Sequence, residues 1–243
     1  MSKFYVKGYV LPVFVAVCIC TLFPAFSPAQ VKRDNTLTPE EKQQGWILLF
    51  DGKTTNGWRS YNRKPQDSWE VLAGQLHCKI RGVTNRADLM TVAQYDNYEL
   101  KFDWKIEKGA NSGVLYRVIE TSQPAYETGP EYQLIDDEGY PEKLEDWQKS
   151  GSDYAMHPPM VLASKPAGEY NHSKIVVKGA HVQHWLNSRK VADFYLWTPE
   201  WKELKAKSKW KDAVNYGMAK KGFIVLQDHG GGVWFKNIKL RKL

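Results

Sequence analysis

The run GPEYQLIDDEG, from Gly129 to Gly139, places Glu131, Gln133 and Asp136 on and just beyond one short strand pattern. Side chains alternate across a strand, so Glu131 and Gln133 share one face while Tyr132 and Leu134 take the other. Such a polar pair sits easily on a wet face and at high cost on a buried one without partners. Upstream, NSGVLYRVIE from Asn111 sets Leu115 and Arg117 against Val114, Tyr116 and Val118. The chain closes on GFIVLQDHGGGVWFKNIKL, which carries Gln227, Asp228 and His229 into a glycine-rich turn. Three strands thus supply Arg, Glu, Gln, Asp and His, a set suited to a polar pocket for a hydroxyl-rich ligand. If strand alternation holds throughout, Arg117, Glu131 and His229 face one pocket.

The elements that must position these groups are mostly strands. WILLF, SWEVLAGQLHCKI, DLMTVA and NYELKFDWKIE are β-rich runs separated by Gly, Asn, Asp and Pro clusters, and Ala73-Gly74 reads as a tight hairpin. EYNHSKIVVKG and HVQHWLNSRKVADFYL continue the pattern. Roughly a dozen short strands with antiparallel turn signals predict an all-β jelly-roll sandwich with a few short helices. One helix starts at Thr38-Pro39-Glu40-Glu41, a capping box with proline at the first helical position, and another at Thr198-Pro199. Between about 138 and 167 lies a long irregular stretch holding Asp153, Tyr154, His157 and Pro158-Pro159, which reads as a binding or lid segment. No repeat or low-complexity tract interrupts the pattern.

The N-terminus reads as a secretory signal. Lys3 and Lys7 precede an apolar stretch from Val10 to Phe26, and Ser27-Pro28-Ala29 offers small residues for cleavage after Ala29. Residues 1–29 are then leader, 30–45 a linker with a short helix, and 46–243 one catalytic domain, exported and periplasmic. A retained anchor is the competing reading, with a core at the lower length limit for spanning. Cys18 and Cys20 leave with the leader, so Cys78 stands alone in the mature chain, without a disulfide. Loss of Lys3 and Lys7 lowers the formal charge from +7 to +5, and the basic residues are interspersed. The densest stretch, Lys202 to Lys211 with five lysines, reads as a solvated face. No basic stripe interleaved with aromatics suggests nucleic acid. Ten tryptophans are read mainly as core, with sugar-stacking platforms as the alternative.

At the level of motifs, FDGKTTNGW, NSGVLYR, GPEYQLIDD, KPAGEYN, HVQHWLN and LQDHGGGVWFKNIKL resemble an exported bacterial family, in matching order from Gly45 to Leu243. The family is described as 3-keto-disaccharide hydrolase, or 3-keto-glucoside 1,2-lyase with 3-keto-2-hydroxy-glucal hydratase activity. The resemblance implies a concanavalin-like jelly roll and a 3-keto-glycoside as small-molecule substrate. In the implied reaction a ketone at C3 acidifies the C2 proton, a base removes it, the C1 substituent leaves, and water adds to the resulting enone. Such a site needs a base, a charge to hold the enolate and a proton donor. His229, His157 and Glu131 are the catalytic candidates; Arg117, Gln133, Tyr154, Gln227 and Asp228 are the substrate-binding candidates. Glu131 with Asp136 could ligate a divalent cation or orient the sugar. No signature such as HExxH points to a metal, and no organic cofactor is expected.

Each candidate also has a structural reading. Arg117 and Glu131 could pair across neighbouring strands, Asp136 could cap an exposed turn, and His157 could be a loop spacer. His229 could serve only the glycine turn. His184, alternating with Val182 and Leu186, reads as a satisfied inward-facing histidine. Two other functions fit a sandwich: a conventional glycoside hydrolase, which needs two carboxylates flanking the bond, and a non-catalytic carbohydrate-binding module. No Glu-x-Asp-x-Glu type strand is present, which weighs against the first.

Overall fold

The computed structural model describes residues 1–5, 7, 8, 33–121 and 123–243. The core of the signal expected at the N-terminus lies outside the described residues. Residues 33–243 form one compact unit. Among the described residues no helix is long and apolar enough to cross a membrane.

Among the described residues thirteen strands build two antiparallel sheets, the sandwich that the alternation predicts. The eight-stranded sheet contains β1 (Trp46–Leu48), β3 (Trp69–Leu72), β4 (Gln75–Cys78), β6 (Tyr98–Ile106), β9 (Asn171–Lys178), β10 (His181–Leu186), β11 (Arg189–Tyr195) and β13 (Val233–Lys242). Its order is β11-β10-β9-β6-β13-β4-β3, with β1 also paired to β13. The five-stranded sheet runs β2 (Trp58–Ser60), β5 (Leu89–Thr91), β12 (Phe223–Leu226), β7 (Asn111–Val118) and β8 (Glu131–Ile135). The three strands read as site-bearing are therefore consecutive neighbours, β12-β7-β8.

Alternating residues from both sheets fill the space between them. Leu100, Phe102 and Trp104 of β6 meet Tyr116 of β7 and Tyr132 and Leu134 of β8, and all are buried. Burying each such side chain contributes about 1.5–3 kcal/mol. The same sheet has a second apolar cluster, formed by Tyr61, Met90, Leu115, Val118, Ala125 and Val225. Leu115 and Val225 alternate with the inward residues, so this cluster lies on the outer face. Segments around Tyr61 and Ala125 cover that end of the face.

Local chemistry explains the turns and helices. Ala73 and Gly74 both adopt positive φ, 48° and 77°, which suits a two-residue hairpin between right-twisted strands. Thr38 caps α1 (Pro39–Gln43) through the reciprocal bonds Glu41 N–H to Thr38 Oγ1, 3.1 Å, and Thr38 N–H to Glu41 Oε2, 3.0 Å. Thr198 caps α2 (Pro199–Lys207). The irregular stretch after β8 does not hang free as a lid: it folds back along that strand's edge. Gly151 N–H donates to Gln133 O, Gln133 N–H to Ser152 O and Tyr154 N–H to Glu131 O. These bonds cover an edge that would otherwise expose unpaired backbone.

Candidate active site

On the outer face of the five-stranded sheet lies a cavity of about 320 Å³, lined by Asn111, Tyr126, Glu131, Gln133, Tyr154, Lys209, Trp210, Gln227 and His229. Its floor follows from strand register. Leu115 stands opposite Glu131 and Gly113 opposite Gln133, and Gln227 N–H donates to Gly113 O. Asn111, Gln133, Glu131 and Gln227 thus share a face with Leu115 and Val225. At Gly113 the missing side chain makes room: a Cβ there would sit 2.1 Å from Glu131 Oε1. Tyr126 comes from the turn after β7, Tyr154 from the edge-covering stretch, and Lys209 with Trp210 from the turn after α2.

Among the described residues Glu131 is the only carboxylate lining this cavity. It is only 4 % exposed, and burial pushes its pKa up to about 8. Lys209 opposes that shift, while the charges of Asp88 and Asp153 add to it. Lys209 is itself desolvated, which lowers its pKa against the pull of Glu131. Its Nζ lies 4.6 Å from the ring centres of Tyr154 and Trp210 and 5.9 Å from Tyr126. The Trp210 indole donates to Tyr154 O at 3.0 Å, locking two walls together. Asn111 Oδ1 and Gln227 Oε1 are buried without a hydrogen-bond partner. Leaving such atoms unpaired costs about 1–3 kcal/mol each, and both residues line the cavity, so a ligand's hydroxyl groups would satisfy them.

The structure brings together Glu131, Gln133, Tyr154, Gln227 and His229, five of the residues singled out from the sequence. It sets four others apart. Arg117 points away because β7 contains a bulge. Leu115 pairs with Val225 and Val118 with Phe223, so two β7 residues stand opposite one. Arg117 sits there at φ 57°, Val118 takes the outer-face place, and the guanidinium turns inward. It donates to the carbonyls of Gly179 and Ala219 and lies 4.9 Å from the Trp197 ring centre. Neither the oxyanion role nor a pair with Glu131 survives this geometry.

Asp228 also turns from the cavity. Its carboxylate accepts from Arg86 at 2.8 Å and from Gly230 N–H at 3.0 Å, while its own N–H donates to Asp88. It lines a separate hollow of about 220 Å³ with Tyr61, Lys64, Arg86, Asp88 and Gln123. Burial there raises Asp88 to about 6. Alternation accounts for Asp228: flanked by Gln227 and His229, it takes the other side.

His157 is bound to Asp153 Oδ2 at 2.9 Å and stacks on Phe194, 4.4 Å between ring centres. Asp153 N–H also donates to His157 O, closing a local turn that holds the imidazole outside the lining. Asp136 closes another turn, accepting from Gly109 N–H at 2.8 Å, and a Cβ on Gly139 would meet its Oδ2 at 2.2 Å. Glu131 and Asp136 therefore do not fit a shared metal site. Among the described residues no three His, Cys, Asp or Glu side chains converge as cation ligands. In this cavity the positive charge comes from Lys209.

Four lining residues were not among the sequence candidates: Asn111, Tyr126, Lys209 and Trp210. Asn111 had a legible signal, sharing strand parity with Gly113 and Leu115. Lys209 was masked by its four neighbouring lysines, which suggested a solvated face. His184 is satisfied as expected: Nδ1–H donates to Gly151 O at 3.0 Å and Nε2 accepts from Tyr116. Burial depresses its pKa to about 3, so it stays neutral. Cys78 is buried, and burial holds it as the thiol.

These features define an antiparallel sandwich with a polar cavity on the outer face of one sheet. Residues 45–241 match the family described as 3-keto-alpha-glucoside-1,2-lyase-like domain, and the chain belongs to that family. A curated 3-keto-disaccharide hydrolase from Bacteroides thetaiotaomicron is 35% identical over 228 residues, covering 82% of this chain and 79% of its own. A crystal structure of a candidate glycosyl hydrolase from Parabacteroides distasonis is 41% identical with a TM-score of 0.82, covering 87% of this chain and 100% of its own. A second from the same organism is 28% identical with a TM-score of 0.64, covering 82% and 99%.

Proposed function

We propose that this protein is an exported carbohydrate-active enzyme that cleaves 3-keto-glycosides by C2 proton abstraction and C1 elimination, followed by hydration. The observation that carries the reading is a lone buried carboxyl of raised pKa, Glu131, facing the cation of the cavity, Lys209. A carboxylate with pKa near 8 is a stronger base than an ordinary one, and a positioned base contributes about 10²–10⁴-fold. Glu131 takes the C2 proton, and the electron pair moves into the C3 carbonyl. Lys209, exposed at the cavity rim with its ammonium partly desolvated, supplies the positive charge that this oxygen requires. His229, exposed on the cavity lining, donates to the departing C1 oxygen. Asn111, Gln133 and Gln227 hold the sugar hydroxyls. The 35% identical relative, named for 3-keto-disaccharide hydrolysis, supports the substrate class.

A conventional retaining hydrolase needs a second carboxylate about 5–5.5 Å from the first, and Glu131 has no such companion in the lining. A binding module has no use for a buried acid of raised pKa. Incubation with a 3-keto-glucoside and with its unoxidised parent separates the three readings. The expected result is release from the keto form only, with solvent deuterium at C2 of the product in deuterated water. Release from the parent, or a fully protiated C2, would overturn the elimination, and inertness toward both would leave the binding module.

Export rests on the leader pattern of residues 1–29. Intact mass of the native envelope protein should show a chain beginning at Gln30. A mature form that retains Met1 would refute cleavage.

A further inference from the structure

Lys209 occupies an unusual place for a residue of a lysine-rich stretch. Its neighbour Lys207 is bound to Glu203 on the helix surface, whereas Lys209 turns into the cavity and meets the faces of three aromatic rings. Its electrostatic partner is Glu131, across the same cavity, and no carboxylate among the described residues holds it at ion-pair distance. The residue as a whole is exposed at the cavity rim, yet its ammonium lies against ring faces and desolvation lowers its pKa. A lysine so placed beside a ketone is the setting in which an amine becomes a nucleophile. Ring faces also stabilise a fixed cation, including one on nitrogen bonded to carbon.

We propose that Lys209 is a covalent catalyst: its amine condenses with the C3 ketone of the bound sugar to form an iminium ion. The inference rests on the elimination proposed above and replaces the electrostatic role of Lys209 in it with a covalent one. The amine lone pair attacks C3 and the carbonyl oxygen takes a proton, giving a carbinolamine. The acid form of Glu131 protonates the hydroxyl, water departs, and a cationic C=N bond remains. Glu131, now a carboxylate, removes the C2 proton, and the electrons move onto the nitrogen as an enamine. The enamine expels the C1 substituent, which leaves as an alcohol after taking one proton. Water then adds to C3 and hydrolyses the conjugated iminium, restoring the ketone, the amine and the neutral acid. No oxidant or reductant is consumed.

Burial supports the sequence of protonations. Desolvation favours the neutral amine of Lys209, and it favours the acid form of Glu131 that must donate first.

The test is reductive trapping. The full chain is incubated with a 3-keto-glucoside and cyanoborohydride near neutral pH, where the hydride reduces iminium ions. Activity should be lost irreversibly and in step with substrate, with one sugar adduct on the peptide containing Lys209 and none from the parent glucoside. Lys209→Arg keeps the charge and cannot form the imine; with melting temperature unchanged, its turnover should fall about 10³-fold. Turnover by the unmodified protein without trapping, with Lys209→Arg within about tenfold of it, would overturn the covalent step and leave the elimination standing. Adducts scattered over surface lysines would also overturn it. Absence of any turnover of the keto sugar would overturn the functional reading itself.

Discussion

Replacing Glu131 by Gln should abolish most activity and make the protein more stable in alkali. The carboxyl is pushed up to about 8 by burial, against an ordinary value of 4.5. Below pH 4.5 it is protonated in folded and unfolded chains alike, and its contribution to stability is fully present. As pH rises through that value, the unfolded chain ionises while the folded chain does not, so stability falls until the folded carboxyl ionises near 8. The unfolded state then binds fewer protons than the native state, which is the sign required for stability to decline with pH. The loss is on the order of several kcal/mol, since one unit of pKa corresponds to about 1.4 kcal/mol. Gln has nearly the same shape and never ionises. The melting temperature of Glu131→Gln should exceed that of the unmodified chain by roughly 5–10 °C at pH 9, with little difference at pH 4. Turnover of a 3-keto-glucoside should fall about 10²–10⁴-fold, and the dependence of kcat/KM on an ionisation near pH 8 should disappear. Unchanged turnover would remove Glu131 from the chemistry, and an unchanged melting temperature at pH 9 would show that its ionised form is solvated in the folded state.

Most of the sandwich was legible because strand period, turn residues and caps each speak locally. The Ala73-Gly74 hairpin and the Thr38 capping box follow from short-range chemistry, whereas the adjacency of the three polar strands joins segments far apart in sequence. The candidate site was legible where alternation ran unbroken. Glu131 and Gln133 on β8, and Gln227 with His229 beyond β12, arrive on one face for that reason. Arg117 was misread because a single bulge reverses alternation after Tyr116. The bulge depends on a close approach by Gly222, 105 positions away in number but adjacent in space: a Cβ on Gly222 would lie 2.4 Å from the Arg117 carbonyl carbon. No local pattern encodes that. Asp136 and His157 were misread for the opposite reason, since their nearest partners, Gly109 N–H and Asp153, satisfy them within turns. Lys209 was missed because its place depends on where the turn after α2 packs, and tertiary packing sets that.

Gly113→Ala offers a way to move Glu131 without removing it. Gly113 carries no positive φ, so alanine meets no backbone strain there. The strain is steric: the new methyl would lie 2.1 Å from Glu131 Oε1 and 2.8 Å from its Cδ. No side-chain pair tolerates those distances, so the carboxyl must swing off its present line. Overpacking of this kind typically costs about 1–3 kcal/mol of stability. Here part of that loss is offset, because displacement toward the open cavity gives the carboxyl more water. Catalysis has no such compensation. A misplacement near 1 Å at a reacting group can lower turnover about 10²-fold, so Gly113→Ala should lose about 10²-fold in kcat while its melting temperature changes by only a few degrees. A double variant separates this cause from general disruption. In the Glu131→Gln background the base is already gone, so adding Gly113→Ala should lower kcat by less than about threefold, the non-additivity expected of residues that act through one group. Full additivity of the two losses would mean that Gly113 serves the cavity by some route other than the seat it leaves for Glu131.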